Sequence, residues 1–135
     1  MMKRFLQLFA ILSIGLLASC SSSSKVDAAV KAANTQCPMD LAGEATITQI
    51  VTEGNNIVFY CEWDESALGG KITELMEGPQ KAIIKDAMIH ELRAADQETQ
   101  KIIDLCKEAK YNIKYKMKGS PSGETVEIII LHEEL

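Results

Sequence analysis

Histidine is nearly missing from this 135-residue chain, which carries only His90 and His132. A histidine base or a histidine-built metal centre would need a second ligand or a nucleophile at a motif spacing, and neither residue has one. His90 falls late in a helical stretch near Asp86 and Glu91, which reads as a helix surface; His132 sits beside Glu133 and Glu134 near the end of the chain and reads as exposed. No serine stands in a nucleophile-elbow pattern. No Cys-x-x-Cys pair is present to lower a thiol pKa, and Cys37, Cys61, Cys106 and His90 lack the paired short spacings of a zinc site. The expectation is therefore a protein that is not an enzyme and uses no metal or other cofactor.

Positive charge is also scarce, with 14 Lys and Arg against 19 Asp and Glu. No basic stripe is available to displace counterions from phosphates, so nucleic acid is excluded as a partner. Long apolar runs are absent too. The longest, Phe5 to Leu17, is interrupted by Gln7, Ser13 and Gly15 and falls short of the roughly 20 apolar residues that a spanning helix needs. No internal repeat is present.

That short run is nonetheless informative, because Lys3 and Arg4 precede it and the small residues Ala18 and Ser19 follow it, the three-part layout of an export signal. Leu17-Ala18-Ser19-Cys20 reads as a lipobox, in which a branched apolar residue and two small residues lead to a cysteine that accepts diacylglycerol before cleavage. An ordinary secretory cleavage would leave Cys20 a plain cysteine, but a cysteine stands at the one place where lipidation needs it. Two or three acyl chains, palmitate among them, hold firmly where a single chain holds marginally, at about 0.8 kcal/mol per buried methylene. The expected division is a signal over 1–19, the lipidated Cys20 with a tether and lead-in over 20–36, and one domain over 37–135. Ser21 to Ser24 read as a solvated tether, and residues 25–36 as a short helix or extended lead-in with Val26, Ala29, Val30 and Ala33 at helical spacing. Cleavage leaves 116 residues, with 12 basic and 19 acidic side chains and a net charge of −7. That charge keeps a small domain soluble and is compatible with a basic partner.

Within the domain, Ala45 onward is rich in Thr, Ile and Val, with Ile47, Gln49 and Val51 expected on one face and Thr46, Thr48 and Ile50 on the other. Glu53-Gly54-Asn55-Asn56 turns the chain into a second strand, whose Ile57, Phe59, Cys61 and Trp63 should face the core. After Gly69-Gly70 come helical pieces over Lys71–Glu77 and Pro79–Arg93, the latter with Ile83, Ala87 and Leu92 as its apolar stripe beside Ile84 and Met88. Asp96 caps a third helix to about Lys110, with Ile102, Ile103, Cys106 and Ala109 inward. Tyr111, Ile113, Tyr115 and Met117 then alternate with Asn112, Lys114, Lys116 and Lys118, and Thr125 to Leu131 follows a Gly/Ser/Pro turn. Val126, Ile128 and Ile130 share one face of this last strand; Ile129 and Leu131 on the other suggest that its end is covered on both sides. The order hairpin, helices, hairpin predicts an α+β domain, a largely antiparallel sheet from two β-hairpins with two to three helices between them packed on one face.

Three cysteines remain once Cys20 is set aside. One disulfide among Cys37, Cys61 and Cys106 is the expectation for an exported chain, with the pairing open, while Cys61 and Cys106 on apolar faces read equally as buried small hydrophobes. The lysine row Lys114, Lys116, Lys118 is the one concentrated positive feature. It reads first as a wet sheet face or a guarded strand edge, and second as a surface for headgroup phosphates.

Asn34-Thr35-Gln36-Cys37-Pro38-Met39, Gly54-Asn55-Asn56-Ile57-Val58-Phe59, Ser122-Gly123 and the closing Glu134-Leu135 together resemble a group of small exported lipoproteins of Bacteroidetes. The resemblance spans most of the mature chain and carries no functional residue over. It implies an outer-membrane anchor on the periplasmic face, since Ser21 to Ser24 and Lys25 follow Cys20 where acidic residues would accompany surface display. The functional expectation is a lipid-anchored envelope lipoprotein, a non-enzymatic binding or structural module held to the membrane at Cys20 with another envelope protein as partner. An inhibitor of a basic envelope hydrolase, suggested by the −7 charge and small size, and a thiol-dependent enzyme are the alternatives.

Overall fold

A computed structural model describes residues 22–41 and 43–135. The signal segment and Cys20 lie outside the described residues. One five-stranded sheet runs in the order β1 (Met39–Leu41), β2 (Ala45–Glu53), β3 (Asn56–Asp64), β4 (Asn112–Ser120) and β5 (Thr125–Ile130). Neighbours pair antiparallel except β3 and β4, which run parallel in register from Asn56↔Asn112 to Asp64↔Ser120. A parallel pair needs a crossover. Here it is four helical segments: α2 (Glu65–Leu68), α3 (Ile72–Met76), α4 (Pro79–Arg93) and α5 (Gln97–Ala109). The α+β architecture and largely antiparallel sheet are as expected, with β1 and the single turn α2 as additions.

Local chemistry sets these boundaries. Asp64 ends β3 and caps α2, its carboxylate accepting from Ser66 N–H at 2.9 Å. Gly69 then takes the left-handed conformation at φ 84° that closes the turn. Pro79 opens α4, and Asp96 caps α5 by accepting from Thr99 N–H at 2.8 Å.

A first helix, α1 (Ser22–Asn34), precedes the sheet and packs on β2 and α5. Its Val26, Ala29, Val30 and Ala33 are all at most 3% exposed and belong to the same core as the strands. The helix therefore begins inside the serine run expected to be a tether, and the packed body starts ahead of the boundary expected at residue 37. Asn34 fastens its far end, the side-chain oxygen accepting from Ile50 N–H at 2.9 Å.

Among the described residues the helices lie over one face of the sheet. Ile57, Phe59, Cys61 and Trp63 of β3 and Ile113, Tyr115 and Met117 of β4 point into it, and the Phe59 and Tyr115 rings stack with centroids 5.1 Å apart. Each such large apolar side chain contributes about 1.5–3 kcal/mol by leaving water.

Three expected faces are corrected by the packing. In β2 the register slips between Ile47 and Gln49, leaving Thr48 as an extra residue whose hydroxyl donates to the Tyr60 carbonyl at 3.2 Å. This bulge resets the alternation, so Ile47 and Ile50 share the core face rather than opposing each other. In α4 the buried side chains are Met88, Ile89 and Leu92, while Ile83 is 64% exposed. Ile129 of β5 and Leu131 just after it stand exposed at 37% and 42%, so the described residues cover the strand on one side only.

Candidate functional site

Two polar clusters stand out, one beneath the crossover and one on the bare side of the sheet. The first centres on Glu65, which is 6% exposed at the start of α2. Its carboxylate accepts from Ile72 N–H at 2.9 Å, Ser122 N–H at 2.8 Å and the Ser122 hydroxyl at 2.7 Å. The two Ser122 bonds, helped by Ile72, hold the Glu65 carboxyl below the usual carboxylate range against the effect of burial. Gly119 makes room for it, since a Cβ there would lie 2.4 Å from Glu65 Oε2 and 2.9 Å from Ile72 Cγ2. Nearby, Thr73 hydrogen-bonds Glu124 and Lys71 Nζ lies 3.9 Å from the same carboxylate. Every oxygen of Glu65 is engaged by its own chain, so the cluster clamps the helix crossover to the β4–β5 turn. Sequence reading missed it, because Glu65 joins partners 7 and 57 residues away.

The second cluster occupies the sheet face that no helix covers among the described residues. In register across it run Val51, Val58, Lys114 and Ile129, then Gln49, Tyr60, Lys116 and Glu127, then Thr46, Glu62, Lys118 and Thr125. The sequence expected Lys114, Lys116 and Lys118 on a wet face, and the parallel β3–β4 pairing puts Glu62 beside Lys118. Lys114 Nζ lies 3.4 Å from Glu127, and Lys116 Nζ lies 4.0 Å from Glu127 and 3.8 Å from Glu53. The Tyr60 hydroxyl donates to Glu53, accepts from Lys116 at 3.5 Å, and its ring lies 5.2 Å from the Lys116 ammonium. The Glu53 bond is the main reason why the Tyr60 hydroxyl holds its proton above the usual range, and the Tyr60 bond does the same for Lys116. The face is therefore an aromatic and apolar strip overlaid by an ordered ladder of both charges, suited to binding an extended polar surface.

The other sequence candidates fall apart in space. Cys61 and Cys106 are buried in the core, and burial pushes both thiols up to about 12. Cys37 is half-buried, with its thiol also raised by burial, and it adds to the shift of Cys61, so these two are the thiols that sense each other. All three are free thiols. Neither buried thiol is poised as a nucleophile at neutral pH. His90 is exposed on α4. His132 is half-buried rather than exposed, its N–H donating to Asn112 Oδ1 at 3.0 Å and its ring Nδ1 lying 3.0 Å from the same oxygen. No group of three metal-ligating side chains forms among the described residues. An apolar recess between α1 and α5, lined by Val26, Ala29, Val30, Ile57, Ile102, Leu105 and Cys106, holds about 10 Å³. That is at most one water.

No family model and no curated protein matches the chain. Among solved structures it is similar to the pilotin of the Vibrio vulnificus type 2 secretion system, at 11% identity and a TM-score of 0.53 over 98% of this chain and 94% of that one. It is also similar to a Pseudomonas aeruginosa protein described as secreted, at 10% identity and a TM-score of 0.57 over 97% and 95%. The type II secretion pilotin of Vibrio cholerae follows at 11% identity and a TM-score of 0.51 over 78% and 84%. At these identities the likeness establishes a shared fold.

Proposed function

We propose that this chain is a lipid-anchored envelope lipoprotein, a non-enzymatic module that holds a protein partner against its uncovered sheet face. The observation that carries the reading is that face itself: the half-buried Tyr60 and the exposed Ile129 lie among the paired charges of Lys114, Lys116, Glu53 and Glu127. Aromatic and apolar area flanked by fixed charges of both signs gives affinity from the first and register from the second. The export signal and the cysteine at position 20 support an anchor in the outer membrane, on its periplasmic side. The fold shared with two secretion-system pilotins and a secreted protein supports service to another envelope component over chemistry.

Labelling cells with tagged palmitate tests the anchor: the wild-type chain is expected to carry the label and Cys20→Ser to lose it. Crosslinking in native membranes followed by pull-down tests the partner. Recovery of one abundant partner, lost on Lys116→Glu, supports the reading; repeated recovery of the monomer alone overturns it.

A further inference from the structure

One residue, Ser21, stands between Cys20 and Ser22, the first residue of α1. Two chain steps reach at most about 7 Å. The helix they lead into is no slack spacer, because Val26, Ala29 and Val30 lock it into the core. An acylated Cys20 would therefore leave the body no room to swing away from the bilayer, and the flank beside the start of α1 must meet the headgroups. On that flank Lys25 joins Lys101, Asp104, Leu105 and Glu108 of α5 around a shallow open depression of about 300 Å³. Two ammonium groups and two carboxylates make it charge-balanced, on a mature chain of −7. Anionic lipid would be repelled by the chain as a whole, whereas a zwitterionic headgroup offers a phosphate to the lysines and an ammonium to the carboxylates.

We infer that the α1–α5 flank is the membrane-contacting surface and rests on zwitterionic headgroups of the phosphatidylethanolamine type. The inference rests on the lipid anchor proposed above. The test uses the full lipidated chain in vesicles of phosphatidylethanolamine and phosphatidylcholine that contain a trace of phosphatidylethanolamine with a photoreactive headgroup. Crosslinks are expected on peptides covering residues 22–31 and 97–109, and not on those covering 112–130. An insert of about ten Gly and Ser residues after Ser21 should cut flank crosslinking about tenfold while the protein still pellets with the vesicles, because effective concentration falls roughly as the −3/2 power of linker length. Lys101→Glu, on the exposed side of α5 and so neutral to folding, should lower it severalfold. Crosslinks spread over all faces of a vesicle-bound chain, or a flank signal unchanged by insert and charge reversal, would overturn this inference alone. A wild-type chain that carries no lipid and stays in the supernatant would overturn the anchor and the inference together.

Discussion

The two faces of the sheet are built from alternate residues of the same strands, yet they do different work. On β4, Ile113, Tyr115 and Met117 are fully buried under the helices, while Lys114, Lys116 and Lys118 between them reach the bare side. Each face also has one carboxylate-centred cluster. On the covered side, Glu65 engages both carboxylate oxygens with its own chain and requires glycine at 119. On the bare side, Glu127 and Glu53 share two lysines and a tyrosine across an open surface. The contrast teaches that burial, and not the kind of charge, separates a clamp from a contact surface. A salt-screened pair in water contributes about 0.2–1 kcal/mol and can exchange partners, whereas a buried group has nowhere else to go.

Substitutions on the two faces should therefore separate stability from binding. Trp63→Ala is expected to have the largest effect, a loss of about 3–5 kcal/mol in urea unfolding, since Trp63 is 2% exposed. Gly119→Ala follows at about 1–3 kcal/mol, because its Cβ must displace the Glu65 carboxylate or Ile72. Glu65 also gives the clamp a pH signature. Its folded pKa is depressed, so its contribution is complete above the unfolded value of about 4.3 and is lost as the pH falls through the folded value. Wild-type stability should thus decline with acid below about pH 4.3, more steeply than that of Glu65→Gln, and unfolding curves measured down that range will show it. Lys114→Ala on the bare face should cost no more than about 1 kcal/mol by the same assay, yet weaken partner crosslinking. The smallest signal is chemical: maleimide should label the half-buried Cys37 of the folded chain and reach Cys61 and Cys106 only on unfolding. A Cys37–Cys61 bridge in the exported protein would appear as labelling of both only after reduction.

Much of the covered face was legible in the sequence because simple alternation carries it. Ile57, Phe59, Cys61 and Trp63 read inward, as do Ile113, Tyr115 and Met117, and the Asp96 cap and the Pro79 helix start fall where they were expected. Alternation fails where one residue is added. The bulge at Thr48 moved Ile50 to the core face, a change that depends on pairing with Tyr60 and not on any property of Thr48 alone. Serine has modest helix propensity, so Ser22 to Ser24 read as a tether, and it is the burial of Val26 and Ala29 against α5 that recruits them into α1. The lysine row was visible, but its partners Glu53 and Glu127 were not, because strand order lies beyond periodicity. Glu65 was hidden for the same reason: nothing in its local sequence announces Ser122.

On the function proposed above, the bare face of the sheet is the surface that meets a partner. A photoreactive amino acid placed at Gln49, in register with Tyr60 and Lys116 on that face, tests it against one at His90, exposed on α4 in the helix layer. In native membranes the full chain is expected to yield one discrete higher-mass adduct from position 49 and none from position 90. Monomer alone from position 49, or equal adducts from both positions, would contradict it.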